Sequence, residues 1–191
     1  MRQSDVAAVS AVHLAAFPTF FLTWLGPRFL RALYRTIVDD EHGIAFVATR
    51  GDQIVGFVAG TADKGFYRRA RRRWLHFAAA AVGALVRRPS MARRLIRALW
   101  SPPGITSNAA LLMSLAVDPC IAGTGVGTRL TETFVQRARE RGAPAVALTT
   151  DGVGNDVVHE FYRRRGFTLA AGYVTAEGRA MNEYILHIQQ S

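Results

Sequence analysis

The residues best able to do chemistry gather in the second half of the chain. The stretch "LAVDPCIAGTGVGTRL", Leu115 to Leu130, breaks an apolar run at Pro119. It then passes through Gly123, Gly125 and Gly127 and continues as an amphipathic helix. A glycine turn feeding a helix offers unpaired N–H groups and the positive end of the helix dipole, which together suit a pyrophosphate. Further on, "NDVVHEFYRRRGF" carries Asn155, His159 and Tyr162 on one predicted helix, and Asp151 ends the apolar run "AVALTT" before it. A carboxylate, an imidazole and a phenol near an anion site are groups that move protons. Cys120, the only cysteine, stands beside the glycine loop as a possible nucleophile type.

Spacing narrows the guest of the loop. A nucleoside-triphosphate loop needs GxxxxGK[ST], and Lys64 is the only lysine in the chain. A dinucleotide fingerprint GxGxxG needs a glycine where Thr128 stands, although Asp151 could serve as its ribose-binding acid. A tight turn that only packs helix on strand is the remaining reading.

Taken together, Val117, Pro119, Gly125, Gly127, Asn155, Val158, Tyr162, Gly166 and Phe167 stand at the spacings of V-x-P, R/Q-x-x-G-x-G/A and N-x-x-x-x-x-x-Y-x-x-x-G-F. In this the stretch 111–167 resembles the core of the GNAT superfamily of acyl-CoA-dependent N-acetyltransferases. The resemblance implies a mixed central sheet splayed at an acetyl-CoA site. Leu115, Ala116 and Val117 would pair with the pantetheine arm, and a bulge in this strand would leave the Val117 N–H free for the thioester oxygen. The amides of Ala122, Gly123, Thr124, Gly125, Val126, Gly127 and Thr128 would take the pyrophosphate. Asn155 would orient the pantetheine amide or cap its helix, and Tyr162 would be the general acid. Asp151 is the first candidate base, with Asp118 and Ser114 behind it, and an ordered water chain would serve equally; His159, four residues after Asn155, could face the site, but a lone histidine there is more often a surface residue. Direct transfer in a ternary complex leaves Cys120 without a covalent role. Phe17, Phe20, Phe21 and Trp24, in the loop after the first helix, are candidates to line the acceptor site. No metal is implied. Two departures stand out: Ala122 occupies the Arg/Gln position, and Met1-Arg2-Gln3 leaves little room for the strand with which this fold begins, so that strand is truncated or the start lies upstream.

The elements that must position these groups alternate, which indicates an α/β (α+β) class. A short helix over about 5–16 starts at a Ser4 cap; Pro18 breaks the apolar stretch before the roughly 20 residues that span a bilayer, which argues against a signal peptide. Phe29, Leu30, Leu33, Tyr34 and Ile37 mark a second helix after Pro27. "GIAFVAT" and "IVGFVAGTA" read as a hairpin across "RGDQ". "LLMSLAV" is a strand, and Val126, Leu130, Phe134 and Ala138 recur every four residues along a helix of about 125–141. "AVALTT", the Asn155 helix closed by Gly166, and a final antiparallel pair around "AEGR" complete the order.

A chain of 191 residues, half of them hydrophobic, fits one domain over 1–191. A single cysteine suits a reducing, cytoplasmic setting. The net charge of +10 is concentrated: eleven basic residues and no acidic one lie between Lys64 and Trp100, leaving 13 of the 24 Lys and Arg against all 14 Asp and Glu. This segment, about 63–104, reads as a helical insertion holding the apolar "WLHFAAAAVGALV" and the amphipathic "MARRLIRALW" before the breaker "SPPG". It is a solvated basic face, a peripheral contact with anionic membrane through residues 64–100 at the inner surface, or a funnel for anionic substrates. Nucleic acid is disfavoured because no binding motif accompanies the arginines. The whole pattern also resembles bacterial acetyltransferases of surface-polysaccharide biosynthesis, which implies a small-molecule primary amine, such as an amino sugar, as acceptor. A non-catalytic CoA-binding or membrane-binding module is the competing class, and a dimer is one option for assembly.

Overall fold

The structure, a computed structural model, describes residues 1–18, 20–63, 65–87 and 108–188. A 3-10 turn at Gln3–Asp5 leads into α1 (Val6–Ala16), followed by the single turn α2 (Phe21–Trp24) and by α3 (Gly26–Asp39). The start of α1 differs from the expected Ser4 cap: Asp5 accepts the Arg2 N–H at 2.6 Å and closes the 3-10 turn instead. No strand precedes α1 among the described residues, and the Met1 amino group donates to Ala45 O at 3.2 Å. The hairpin of β1 (Gly43–Arg50) and β2 (Gln53–Thr61) follows.

The insertion opens with α4 (Phe66–Arg72), an extra helix, and α5 (Trp74–Arg87), the apolar helix expected there. The expected helix at Met91 to Trp100 and the "SPPG" breaker lie outside the described residues. The chain continues through β3 (Ala110–Val117), α6 (Val126–Glu140), β4 (Ala145–Asp151), α7 (Asp156–Arg163), β5 (Thr168–Val174) and β6 (Ala180–His187). No helix among the described residues is long and apolar enough to cross a membrane.

The six strands form one sheet in the order β1-β2-β3-β4-β6-β5, antiparallel except for β3 beside β4. Strand alternation sends neighbouring side chains to opposite faces. Phe57 and Ala59 pack with α1, α3, α4 and α5, whereas Val58 packs with α6 and α7. The core therefore has two layers, one on each face of the sheet. On α6, Leu130, Phe134 and Ala138 are buried as their spacing predicts, with Val126 packed at the edge of the same cluster.

Two features of β3 shape the site. It pairs with β4 only at Ala110↔Val146 and Leu111↔Ala147, after which the strands part while β4 stays fully paired with β6. On its other edge, Ser114 pairs with Ala59 and Leu112 with Gly60, so Met113 is an inserted residue in the ladder. Such a bulge reverses the in/out parity of the strand. Before it, Ala110 and Leu112 face α6 and α7; beyond it, Leu115 and Val117 do. Gly60 sits opposite this bulge, where a Cβ would come within 1.9 Å of Leu111 O.

Candidate active site

The parting of β3 and β4 opens a cavity of about 660 Å³ that passes from one face of the sheet to the other. Its walls are β3, the glycine loop with the start of α6, the end of β4, one side of α7, and His13, Phe17 and Phe20 from α1 and the loop after it. The structure thus brings Leu115, Val117, Gly125, Asp151, Asn155 and Tyr162 to one cleft, as the sequence reading requires. Phe17 and Phe20 line it too. Phe21 is instead buried in the helical core, and Trp24 stays 42% exposed away from the cavity lining.

Backbone direction supplies the first polar groups. The Asp118 N–H donates to Val55 O of β2 at 2.8 Å. By strand alternation, the amides of Val117 and Leu115 point the opposite way, into the gap that β4 has left. The bulge that sets this orientation lies at Met113 rather than beside Val117, because the ladder loses register at Ala59/Gly60.

The glycine loop supplies the second set. Gly123 and Gly125 have φ of +84° and +85°, a region open to glycine at little cost. The Arg129 N–H makes the first ladder bond of α6, to Gly125 O, so the amides of Val126, Gly127 and Thr128 precede the ladder at the positive end of the helix. Gly127 has no positive φ, and a Cβ there would meet Phe161 at an ordinary 3.5 Å. Its missing side chain therefore leaves cleft space. Two of the expected phosphate donors are engaged within the loop: Ala122 N–H donates to Pro119 O at the end of the 3-10 turn Pro119–Ile121, and Thr124 N–H donates to Ile121 O just after it. Asp118 caps that turn by accepting from Cys120 N–H at 2.9 Å, a structural use of the carboxylate, and Cys120 is exposed.

Side chains of α7 and β4 complete the site. Tyr162 is buried beside Phe161, Phe167 and Tyr184. Burial raises its phenol pKa well above the ordinary value, with Arg165 opposing the shift, so the hydroxyl keeps its proton. Asn155 holds the N-cap position of α7 but its side chain makes no cap bond; instead its Nδ2 donates to Thr150 Oγ1 at 2.8 Å and ties the helix start to the end of β4. His159, expected at the surface, is buried, with Nε2 2.7 Å from Asp151 O, a second tie between α7 and β4. Both carboxylate oxygens of Asp151 accept from Arg179, whose guanidinium lies 5.0 Å from the Phe20 ring centroid. A carboxylate so engaged serves as a clamp between β4, the β5–β6 turn and the Phe20 loop, which weakens its case as a base.

Two cleft residues carry no motif signal. Arg165, one turn beyond Tyr162, stacks on Phe161 and donates to Thr128 Oγ1 in the first turn of α6. It brings a guanidinium to the phosphate end of the cleft, where Ala122 offers none. His13 is buried in the wall that α1 supplies from the other face of the sheet. The signal for both is three-dimensional: each pairs with a residue far off in sequence.

The sequence model described as "Acetyltransferase (GNAT) family" matches residues 10–167. No curated protein matches the chain in sequence. Among solved structures, the ribosomal-protein-S18-alanine N-acetyltransferase from Escherichia coli is similar with a TM-score of 0.62 at 16% identity, over 100% of this chain and 92% of that one. The polyamine N acetyltransferase of Drosophila melanogaster gives 0.60 at 19% identity, over 98% and 97%. A Bacillus anthracis protein provisionally named a streptothricin acetyltransferase, in complex with acetyl coenzyme A, gives 0.55 at 18%, over 81% and 68%. At such identities the likeness is one of fold.

Proposed function

The chain belongs to the acetyltransferase (GNAT) family, and from that premise we propose that it moves an acetyl group from acetyl-CoA to a primary amine of a small molecule, an amino sugar being the acceptor class favoured. The observation that carries this reading is the parting of β3 and β4 after two pairs, which turns strand amides into a cleft between the α6 N-terminus and Tyr162. The residues fit the donor. Val126, Gly127 and Thr128 offer amides for the pyrophosphate, Gly127 leaves room, and the Leu115 and Val117 backbone can pair with the pantetheine arm.

When bound, acetyl-CoA supplies an activated acyl carbon and a thiolate leaving group. The Val117 N–H then donates to the oxygen that gains charge on attack, a stabilisation that grows toward the transition state. Tyr162, kept protonated by burial, gives its proton to the departing sulfur. No covalent step at Cys120 is needed. Thermal stabilisation by acetyl-CoA, together with thiol release across a panel of amines, tests the reading. Stabilisation without turnover of any amine would leave only the CoA-binding module. In an active pair, Tyr162→Phe should lower kcat by about 10²-fold or more, and retention of full rate removes the acid from Tyr162.

A second reading concerns location, and α5 favours it. Leu75, Val82 and Val86 are 65%, 54% and 78% exposed and, with Ala79, form one outward stripe. An apolar stripe on a basic segment suits peripheral attachment to an anionic membrane, at the inner surface if the protein works in the cytoplasm.

A further inference from the structure

One buried ionisable group in the cleft is unused by the reaction just described. His13 of α1 is 1% exposed and lines the same cavity as Tyr162. Its Nδ1 lies 2.6 Å from the Tyr34 hydroxyl of α3, and Tyr34 is in turn hydrogen-bonded to Ser114 of β3. Its Nε2 is buried with no hydrogen-bond partner among the described residues. Buried polar atoms are nearly always satisfied, so an unpartnered ring nitrogen on a residue that lines the cavity asks for a ligand atom. The ring is held from two sides by Phe17 at 5.0 Å and by Phe57 of β2 at 6.3 Å.

Resting on the acetyl-transfer reading, we propose that His13 Nε2 is the proton acceptor for the attacking amine, and that Tyr34 and Ser114 are positioning residues that fix its Nδ1–H tautomer. In this assignment Nδ1–H donates to the Tyr34 oxygen and the Tyr34 O–H turns to Ser114, which leaves the Nε2 lone pair unprotonated. The bulge at Met113 is what turns Ser114 toward Tyr34. The groups around the imidazole are Tyr34 from α3, Ser114 from β3, Phe57 from β2 and Phe17 just beyond the end of its own helix; along the cavity Asp151 is matched by Arg179. No charge among these stabilises an imidazolium, and burial lowers the His13 pKa to about 4. The free ring is therefore neutral near pH 7, with one ring nitrogen unprotonated. Charge that reaches it is spread through Nδ1–H toward the hydroxyl chain.

An acceptor arriving as R–NH3⁺ gives one proton to Nε2 and gains a lone pair. Its nitrogen then bonds the acyl carbon while the carbon–sulfur bond breaks, and the sulfur takes the Tyr162 proton. The proton the nitrogen sheds on becoming an amide restores Tyr162, and the one on His13 leaves to solvent.

Two measurements test this. Long-range ¹⁵N–¹H spectra of histidine-labelled protein at pH 7, without any acceptor, should show His13 neutral with its proton on Nδ1. A proton on Nε2, or an imidazolium, overturns the proposal. With D-glucosamine as probe acceptor and thiol release as readout, His13→Gln should lower kcat at pH 7 by about 10² to 10⁴. Its acetyl-CoA dissociation constant should stay within twofold of wild type, and the deficit should shrink toward pH 9 as the amine deprotonates unaided. Tyr34→Phe, a smaller change, should show an intermediate deficit and a shift toward the Nε2–H tautomer. An active wild type with an unaffected His13→Gln sinks this inference alone, as does a pH-independent deficit with weakened acetyl-CoA binding. A wild type that binds acetyl-CoA but turns over no amine sinks the transfer reading and this inference with it.

Discussion

At the scale of single residues, the cleft is arranged as two ends with opposite demands. The phosphate end needs positive charge, and Arg165 supplies it beside Thr128. Its Nε is buried without a hydrogen-bond partner among the described residues, and burial lowers its pKa, so an anion within reach would relieve the guanidinium. Arg165→Gln should therefore weaken acetyl-CoA about tenfold, or ~1.4 kcal/mol, and leave acetyl-pantetheine, which lacks the phosphates, unchanged. Calorimetric titration with both compounds checks this, and equal losses would place the effect in packing. The acceptor end is built from neutral groups, which has a cost in acid. The folded His13 pKa is near 4 against an ordinary 6.5. The unfolded chain thus takes up its proton first as pH falls, and stability present above about 6.5 is lost progressively down to about 4, amounting to ~3 kcal/mol. Denaturant unfolding at pH 7 and pH 4 should show this loss in wild type and not in His13→Gln. Tyr162 and the glycine loop were legible in the sequence because a fixed spacing carries them. His13 and Arg165 were not, since a lone histidine on an apolar helix and one arginine among three gain meaning only from partners across the fold.

At the scale of elements, helices were easier to read than the strand that matters most. The four-residue recurrence on α6 marks its buried face directly. In "ALLMSLAV" nearly every side chain is apolar, so alternation cannot reveal which residues face which layer, nor that Met113 reverses them. The element α4 escaped for the opposite reason: "FYRRARR" buries only Phe66 and Ala70, and its charges hide the pattern. Gly60, by contrast, is a testable marker of the bulge. A methyl group there would meet Leu111 O at 1.9 Å and the Phe134 ring at 2.9 Å, neither of which is a flexible chain end. Gly60→Ala should destabilise the fold by ~2 kcal/mol or more, read as a lower denaturant midpoint. Unchanged stability would mean that the β2–β3 ladder relaxes freely around Met113, and the rigid presentation of Ser114, Leu115 and Val117 would fall with it.

At the scale of the whole molecule, charge and apolar exposure coincide. The body is nearly neutral, and the segment between Lys64 and Trp100 supplies the excess that makes the chain +10. Within it α4 and the residue after it expose Arg68, Arg72 and Arg73, and α5 exposes its Leu75–Val86 stripe while Phe77 and Ala81 bury the other side. A second copy of so basic a surface would be repelled, whereas anionic headgroups would be attracted at about 1 kcal/mol per basic residue near the membrane. Apolar burial then adds a part that salt does not screen. The two contributions separate in a sedimentation experiment with vesicles. Wild type should pellet with phosphatidylglycerol-containing vesicles at low salt, far less with phosphatidylcholine alone, and partially at high salt. Replacing Leu75, Val82 and Val86 by serine should abolish the salt-resistant fraction and leave acetyl-CoA binding intact, since none of the three lines the cleft. Protein that stays in the supernatant with anionic vesicles at low salt would return α5 to a solvated face and leave the basic segment to act on the substrates alone.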